Sequence, residues 1–319
     1  MWKEKIRNAP VVATGLLVLA TIVSFAAPLG WPFEIASHFP LQIALVAVGV
    51  CIWCAWRKKY SALFVCVIVI GVQGALIAPS FMGGVSATEQ GDWRVLTANV
   101  LYKSDDYEKM LNLVAAEDPD VVIIVEETPR WREGLTPLAQ RYSYQEHSGA
   151  TARVKGMSGV GVYSKTPLSV LPLDSVPYRD ERPALAVTTS LGGREVTFVA
   201  VHPWTPHTPS AYGKRNAQLA ALAEFTALAG EHAIMVGDMN ITPQSPDFGP
   251  LVASHGLVSA RAGRGWQPSW PAPLGWFGIP IDHAFVTGGI EVSDFRMGPF
   301  VGSDHYPTIL DFSVEPLPR

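Results

Sequence analysis

The alternation of apolar and polar positions divides the chain into two unequal parts. Residues 9–29 carry no charged side chain over 21 positions, and residues 61–78 form a second uncharged apolar run of 18. A helix rises about 1.5 Å per residue, so runs of this length can cross the hydrocarbon core of a bilayer. Residues 41–56 are also uncharged, but their 16 positions fall just below the usual spanning length. The pattern predicts three transmembrane helices, at about 9–29, 41–56 and 61–78.

Beyond residue 79 the pattern changes to short apolar runs separated by turn residues, which is typical of strands. The predicted strands are residues 93–100, 121–127, 159–165, 184–191, 195–203, 233–240, 281–287 and 306–314. Apolar residues at three- and four-residue spacing predict one helix that Ser104 caps and a second over residues 211–229. The Gly192-Gly193 pair predicts a hairpin turn. This part of the chain should form sheets covered by helices on the outside.

The polar stretch "SATEQG" at residues 86–91 separates the two parts. We expect a membrane anchor over residues 1–85 and a second domain over residues 86–319. The three cysteines, Cys51, Cys54 and Cys66, all lie in the anchor. The second domain therefore has no disulfide framework and no thiolate metal site.

Basic residues flank the apolar runs unevenly. Lys3, Lys5 and Arg7 precede the first run, residues 57–59 are all basic, and the connection at residues 30–40 contains no Lys or Arg. The positive-inside rule then places the N-terminus in the cytoplasm and, with three spans, the second domain outside it. The alternative for the first run is a signal peptide, but two further apolar runs argue against simple secretion. We expect a multi-pass protein of the plasma or inner membrane.

Charge limits the partners of the second domain. Of the 24 Lys and Arg residues six precede residue 86, and of the 28 Asp and Glu residues two do, so the remainder has a formal charge of −8. An acidic domain does not bind polyanions through a broad basic face. A nucleic acid would have to be held locally, by a metal ion or by a few placed cations.

Polar residues with catalytic chemistry stand at the ends of the predicted strands. They are Asn99, Glu126, His202, Asp238, Asn240, Asp282, Asp304 and His305. Any one of them alone is most simply a turn residue, and Glu126 alone is as well explained as a surface residue. Loops at one rim of a sheet can nevertheless bring such groups together. Carboxylate and amide oxygens suit a hard cation such as Mg²⁺.

Seven short motifs in this order resemble the endonuclease/exonuclease/phosphatase (DNase I-like) superfamily. They are "TANV", "DPDVVIIVEE", "SGVGVYSK", "VAVHP", "VGDMN", "IDHAFV" and "GSDHYP", and the resemblance runs over about residues 93–312. Each motif is weak alone, and their order and spacing carry the resemblance. The resemblance implies an α/β fold, a four-layer α/β/β/α sandwich, which here follows three transmembrane helices. Val125 departs from the family pattern, in which many relatives have Gln before the Glu.

The resemblance also assigns roles to the strand-end residues. Glu126, Asn99 and Asp304 correspond to the metal ligands, with Mg²⁺ as the expected cofactor and Mn²⁺ as an alternative. His202 and Asn240 correspond to residues that contact the substrate phosphate. Asp238 corresponds to the residue that orients or deprotonates the attacking water. Asp282 and His305 correspond to the final catalytic pair.

The sequence therefore predicts a membrane-anchored, Mg²⁺-dependent hydrolase of phosphoric ester bonds, nuclease-like by default. The expected substrate is a phosphodiester or phosphomonoester, in a nucleic acid, a phospholipid or an inositol phosphate. A lipid head-group phosphodiesterase and an inositol-phosphate phosphatase remain alternatives, and so does an inactive membrane-bound binding module. The predicted membrane contact is through the N-terminal helices, and no protein partner is predicted.

Overall fold

A computed structural model describes residues 2–83, 91–148, 159–182 and 184–315 of the chain. The strands are β1 (Trp93–Asn99), β2 (Val121–Glu127), β3 (Tyr144–His147), β4 (Gly159–Ser164), β5 (Leu168–Leu171), β6 (Leu185–Leu191), β7 (Arg194–Val201), β8 (Ala233–Asp238), β9 (Val258–Ser259), β10 (Asp282–Val286), β11 (Ile290–Met297) and β12 (Thr308–Val314). The α-helices are α1 (Trp2–Phe25), α2 (Phe33–Ser37), α3 (Pro40–Trp56), α4 (Tyr60–Ile77), α5 (Tyr107–Glu117), α6 (Pro129–Gly134), α7 (Pro209–Leu228) and α8 (Phe248–Ala253). Short 3₁₀ turns lie at Ala27–Leu29, Ala78–Phe81, Thr136–Gln140 and Ala272–Phe277.

Within these ranges the strands form two six-stranded sheets. The strand order is β11-β12-β1-β2-β4-β3 in the first sheet and β5-β6-β7-β8-β10-β9 in the second. The polar linker predicted at residues 86–91, and with it the domain boundary, lies outside the described residues apart from Gly91.

Alternation along β2 explains how the first sheet is covered on both faces. Val121, Ile123 and Val125 belong to the core between the two sheets, and Val122 and Ile124 pack under the helices on the other face. All five are completely buried. Successive side chains of a strand point to opposite faces, so a continuous apolar run is what a strand buried on both sides requires.

The second sheet repeats this arrangement through β8. Ile234 and Val236 pack in the core between the sheets, while Met235 lies in the outer core beneath α7 and α8. The layers are therefore helix, sheet, sheet and helix, and the predicted sandwich is confirmed.

Strand pairing brings the strand ends to one rim of the sandwich. β1 and β2 are parallel and joined through α5, and β7 and β8 are parallel and joined through α7. β10 runs antiparallel to β8 and pairs Asp282 with Asp238, while β12 runs antiparallel to β1 and pairs Thr308 with Thr97. The carboxyl ends of β1, β2, β7 and β8 and the amino ends of β10 and β12 thus lie at the same rim of the sandwich.

All eight strands predicted from the sequence are present, and four further strands were not predicted. The missed strands are β3, β5, β9 and β11, and each of them is the edge strand of its sheet. An edge strand has solvent on one side and often carries polar or charged residues. β11, "IEVSDFRM", is an example, because its partly exposed middle breaks the apolar run.

The predicted cap of α5 is wrong in detail. The helix begins at Tyr107 after Asp106, and Ser104 Oγ accepts a hydrogen bond from the Asp106 N–H, outside the helix. The long helix α7 begins at Pro209, where Thr208 accepts a hydrogen bond from the Ala211 N–H. The predicted hairpin joins β6 to β7, with Gly192 and Gly193 both at positive φ, as a tight turn of this kind requires.

Helices α1, α3 and α4 pack against one another. Their shared core includes Leu17, Ala47, Cys54 and Cys66, and the two cysteines are free thiols in packing positions. Among the described residues, the stretches Asn8–Phe25 and Tyr60–Phe81 are long and apolar enough to cross a membrane, whereas Pro40–Trp56 is shorter. Two of the three predicted spans thus have sufficient length.

Candidate active site

Asn99, at the end of β1, joins the two sheets at the shared rim. Its Nδ2 donates to Asp238 Oδ2 at 3.1 Å and lies 3.4 Å from Glu126 Oε1. Its Oδ1 accepts a hydrogen bond from the Leu101 N–H. In this arrangement the amide of Asn99 is a donor that bridges two carboxylates.

Glu126 is placed by an irregularity in β2. The register of β2 with β4 shifts between Val125 and Glu127, and Glu126 has a φ of +63°. A non-glycine residue rarely adopts that conformation, and it turns the Glu126 side chain out of the strand alternation. Glu126 Oε2 accepts a hydrogen bond from the Tyr102 N–H at 2.9 Å.

The neighbouring carboxylate, Glu127, has a different environment from that of Glu126. It is only 1% exposed. It contacts His147 Nδ1 at 2.7 Å, Arg132 Nη2 at 3.0 Å and the Tyr163 hydroxyl. Burial acts to raise the pKa of Glu127, but the hydrogen bonds from His147 and Tyr163 hold the pKa below its usual value. The bulge therefore directs Glu126 to the rim and Glu127 into a polar cluster inside the sheet.

Asp238 and Asn240 form a tight turn at the end of β8. Asp238 Oδ1 accepts a hydrogen bond from the Asn240 N–H at 3.0 Å, and Asn240 has a φ of +52°. Gly237, just before, has a φ of +146°, and a side chain there would collide with the carbonyl oxygen of Val201. Burial and the nearby carboxylate of Asp282 raise the pKa of Asp238 to about 7, against the lowering effect of His305.

His305 and Asp282 form a buried ion pair. His305 Nδ1 lies 2.8 Å from Asp282 Oδ2, and the opposite ring nitrogen lies 3.6 Å from Asp238 Oδ2. Burial alone would lower the pKa of His305, but the charges of Asp282 and Asp238 raise it to about 10. The imidazole is therefore cationic at neutral pH, and this positive charge in turn lowers the pKa of Asp282 in spite of its burial.

Two serines orient this pair. Ser303 Oγ donates to the carbonyl oxygen of Asn99 and accepts from the His305 N–H, which ties the His305 loop to β1. Ser269 Oγ accepts hydrogen bonds from the backbone N–H groups of Ile281 and Asp282. Neither serine belongs to a predicted strand, and only Ser303 lies within one of the quoted motifs, "GSDHYP".

His202 lies across from His305. Its Nε2 is 3.6 Å from Asp238 Oδ2 and 3.7 Å from Glu126 Oε1. Burial lowers the pKa of His202 to about 3, and the positive charges of Arg182 and His305 add to the effect. The two histidines of the rim therefore differ, because one is cationic and the other is neutral.

Asp304 directly precedes His305 at the same rim. Its Oδ2 accepts a hydrogen bond from the Trp270 indole N–H at 3.1 Å. Asp304 and Glu126 line one cavity of about 320 Å³, together with His202, Asp238, Asn240 and His305. Every predicted site residue thus lies in this cavity or hydrogen-bonds to a residue that does.

Comparison with known proteins agrees with this geometry. Residues 96–305 match the model of the Endonuclease/Exonuclease/phosphatase family. The chain belongs to that family. No curated protein sequence matches the chain. Members of the family are hydrolases of phosphoester bonds, and they typically depend on a divalent metal ion.

Solved structures of the Endonuclease/Exonuclease/phosphatase fold are similar in shape but distant in sequence. An endonuclease/exonuclease/phosphatase from Beutenbergia cavernae has 21% identity and a TM-score of 0.55, with 71% of this chain and 72% of that one covered. The 3'-5' exonuclease NExo from Neisseria meningitidis has 20% identity and a TM-score of 0.53, with coverage of 69% and 99%. D. rerio TDP2, complexed with single-strand DNA product, has 16% identity and a TM-score of 0.55, with coverage of 69% and 98%. These likenesses establish the fold.

The donor set fits the divalent ion that the family typically uses. Glu126, Asp238, Asp282 and Asp304 bring four carboxylates to the site, against one cationic imidazole on His305. Ligating atoms of Asp238, Asp282 and His305 lie within 4.8 Å of one another, but His305 Nδ1 is already paired with Asp282. Glu126 and Asp304 both line the cavity with carboxylate oxygens, and oxygen is the ligand that Mg²⁺ prefers.

Some residues around the site carried no sequence signal. Arg261 is 3% exposed and donates to the carbonyl oxygen of Asp282 and to His283 Nδ1. Burial lowers the pKa of His283 to about 3, and His283 Nε2 lies 2.8 Å from the carbonyl oxygen of Ile241, so it serves a structural role. His207, which had no assigned role, lines the cavity.

Four tryptophans after residue 200 have different environments. Trp266 is buried, Trp270 lines the cavity, and Trp276 is 74% exposed. Trp204 stacks beneath the Lys214 ammonium and the Arg182 guanidinium.

Proposed function

We propose that this protein is a membrane-anchored, divalent-cation-dependent phosphodiesterase. The observation that carries the proposal is the convergence of Glu126, Asp238 and the His305–Asp282 pair from both sheets on one cavity. Hydrolysis of a phosphodiester requires a placed water molecule and compensation of the charge that develops on the phosphoryl oxygens.

The residues of the cavity meet these two requirements. Asp238, with a pKa near neutrality, orients the attacking water and accepts its proton. The cationic His305, held by Asp282, stabilises negative charge on the phosphoryl group. Neutral His202 and the amide of Asn240 bind phosphate oxygens as hydrogen-bond donors.

Glu126 and Asp304 are the residues that we propose to hold the metal, with Asn99 joining them if its amide rotates. Mg²⁺ is the expected ion and Mn²⁺ the alternative. When bound, such an ion neutralises charge on the phosphoryl oxygens as a Lewis acid. The local excess of carboxylates described above is the observation that supports this assignment.

Membrane anchoring is supported by the surface of the helical bundle. Many apolar side chains of α1, α3 and α4 are exposed in the isolated chain, for example Leu16 at 61%, Ile52 at 67% and Phe64 at 65%. Exposed apolar area of this extent favours a lipid environment. We propose that the helices lie in the cell membrane as a multi-pass anchor, with a cytoplasmic N-terminus and an extracytoplasmic catalytic domain.

Nuclease activity is the first candidate because the family includes nucleases. A lipid head-group phosphodiesterase is the second candidate, and one observation favours it. Leu274, Trp276 and Phe277 are exposed in the turn Ala272–Phe277, and Gln42 in the first turn of α3 donates hydrogen bonds to the carbonyl oxygens of Phe277 and Gly278. An exposed aromatic loop at the end of an apolar helix is suited to a membrane surface.

The test is hydrolysis by the full-length protein in detergent. With Mg²⁺ we expect release of 4-nitrophenol from bis(4-nitrophenyl) phosphate, loss of activity in EDTA, and loss of activity in Glu126→Gln. Glu133→Gln, an exposed carboxylate on α6, is the matched control and should retain full activity. Hydrolysis of plasmid DNA then supports the nuclease, and hydrolysis of phosphatidylcholine in vesicles supports the lipid head-group phosphodiesterase. An inactive wild-type protein that still binds substrate would support the binding-module alternative.

A further inference from the structure

The connection at residues 30–40, between the apolar helices α1 and α3, packs against the catalytic domain. Its short helix α2 carries Glu34, whose Oε1 lies 3.0 Å from Arg215 Nη2 of α7 and 2.8 Å from Ser245 Oγ. Glu34 and Arg215 are both 0% exposed. The other guanidinium arm of Arg215 donates to the carbonyl oxygen of Asn240 at 2.8 Å. One buried ion pair thus joins the connection to the turn that carries a site residue.

His38 provides a second attachment. Its Nδ1 lies 2.8 Å from Thr242 Oγ1, in the loop just after Asn240. Its Nε2 lies 3.2 Å from Glu34 Oε1, without the alignment of a hydrogen bond. The ring is 5% exposed and forms part of the cavity wall.

A third attachment is apolar. Phe39 and Leu41 pack against a buried cluster in which Ile77, at the end of α4, meets Trp266, Ile279 and Ile281 of the catalytic domain. These contacts hold the C-terminal end of the connection, and the end of α4, against the loop that precedes β10. The connection is therefore held in place against the catalytic domain, and it forms one wall of the cavity.

This wall gives the cavity two chemically different sides. One side carries the carboxylates and imidazoles of the rim. The other side is formed by Ile35 and Phe39 from the connection and by Trp270, Ile279 and Ile281 from the catalytic domain. Ile35 and Phe39 are only half-buried, so their side chains remain available for contact. A volume of about 320 Å³ is in the range of a small-molecule site.

We propose that Ile35 and Phe39 are specificity-determining residues, and that the cavity selects phosphoesters with an apolar group next to the phosphate. This inference rests on the proposed phosphodiesterase activity. A phosphate bound at the rim places one of its ester groups against the apolar side, where burial of apolar surface favours an alkyl or aryl group over a polar one. Such a substrate could be free in solution or could be a bilayer lipid, since both present the same chemistry to the wall.

The test compares two 4-nitrophenyl phosphodiesters that share a leaving group, with the full-length protein in detergent and Mg²⁺. 4-Nitrophenyl phenyl phosphate has an apolar second ester, and the 4-nitrophenyl ester of thymidine 5'-phosphate has a polar one. We expect kcat/KM to favour the phenyl ester by tenfold or more, and the Ile35→Ser/Phe39→Ser variant to reduce this ratio to near one through KM. Val170→Ser/Leu228→Ser, two exposed apolar residues of β5 and α7, is the matched control and should keep the ratio.

The outcomes separate this inference from the proposed function. Wild-type protein that is inactive on both esters contradicts the phosphodiesterase activity itself. Wild-type protein that is active with no preference, or a wall variant that keeps the wild-type ratio, overturns the specificity role alone. Because the ratio is measured within one protein, a partial loss of folded enzyme does not change it. The source of the substrate is tested with a long-chain 4-nitrophenyl alkyl phosphate in phosphatidylcholine vesicles and with its soluble hexyl analogue. A higher kcat/KM for the long-chain ester indicates a bilayer lipid, and a higher kcat/KM for the hexyl ester indicates a substrate that is free in solution.

Discussion

Glu34 and Arg215 form an ion pair between the apolar helices and the catalytic domain, with 3.0 Å between Oε1 and Nη2 and no exposed surface on either side chain. Removing one partner of such a pair leaves a buried charge without compensation. Arg215→Met should therefore lower the free energy of unfolding by roughly 3–5 kcal/mol. Thermal unfolding in detergent measures the effect.

The control for this prediction is an exposed ion pair between an arginine and a carboxylate. Arg179 pairs with Asp174, which is largely exposed, and Arg179→Met should change stability by less than about 1 kcal/mol. Equal effects of the two substitutions would show that the Glu34–Arg215 pair does not hold the connection in place.

The same pair should make stability depend on pH. Burial acts to raise the pKa of Glu34, but His38, Arg215 and Ser245 together lower it from 4.5 to about 2. A lowered folded-state pKa contributes stability that is complete above pH 4.5 and is lost as the pH falls toward 2. The stability difference between wild type and Glu34→Gln should accordingly shrink by about 3 kcal/mol over that window. A difference that does not change with pH would contradict the assigned pKa.

Substitutions of the adjacent carboxylates Glu126 and Glu127 should have opposite effects on activity and on thermal stability. Glu127→Gln disturbs the contacts with Arg132, His147 and Tyr163, so we expect it to lower the midpoint of thermal unfolding. Glu126→Gln removes a negative charge near Asp238 and should abolish hydrolysis while leaving that midpoint unchanged or higher. If Glu127→Gln were inactive at full stability, the two residues would have been assigned the wrong way round.

The contrast at these positions shows what the sequence could predict. The run "VVIIVEE" predicted β2 and a carboxylate at its end, because burial on both faces needs a continuous apolar run. It could not predict which glutamate faces the cavity, since that depends on a one-residue bulge and a left-handed φ at Glu126. Those features are set by pairing with β4, which is distant in sequence.

The same limit applies to the connection at residues 30–40. The sequence showed a short segment without Lys or Arg between two apolar runs, and nothing marked Glu34 as the partner of Arg215. The two residues are 181 positions apart, and long-range pairs of this kind leave no local periodicity. The rim residues were predictable because each stands at one end of its own strand run, and the pairing of the strands brings those ends together.

Asp282 should act through the charge of His305. Asp282→Asn removes the main charge that raises the pKa of His305, so the cationic imidazole is lost at a lower pH. We expect kcat to fall by roughly 10²–10³-fold at neutral pH, with KM little changed. The basic limb of the pH–rate profile should move to lower pH. A uniform loss of rate at every pH would indicate a structural role for Asp282.

Hydrolysis at this cavity is measured most directly by the initial rate of full-length protein on bis(4-nitrophenyl) phosphate in Mg²⁺, for wild type, Asp238→Asn and Asp105→Asn. Asp105 is an exposed carboxylate ahead of α5 and serves as the matched control. We expect Asp238→Asn to lower kcat by roughly 10²-fold or more, because the residue that accepts the water proton is lost, and Asp105→Asn to keep the wild-type rate. An Asp238→Asn protein that hydrolyses the ester at the wild-type rate would contradict hydrolysis at this cavity.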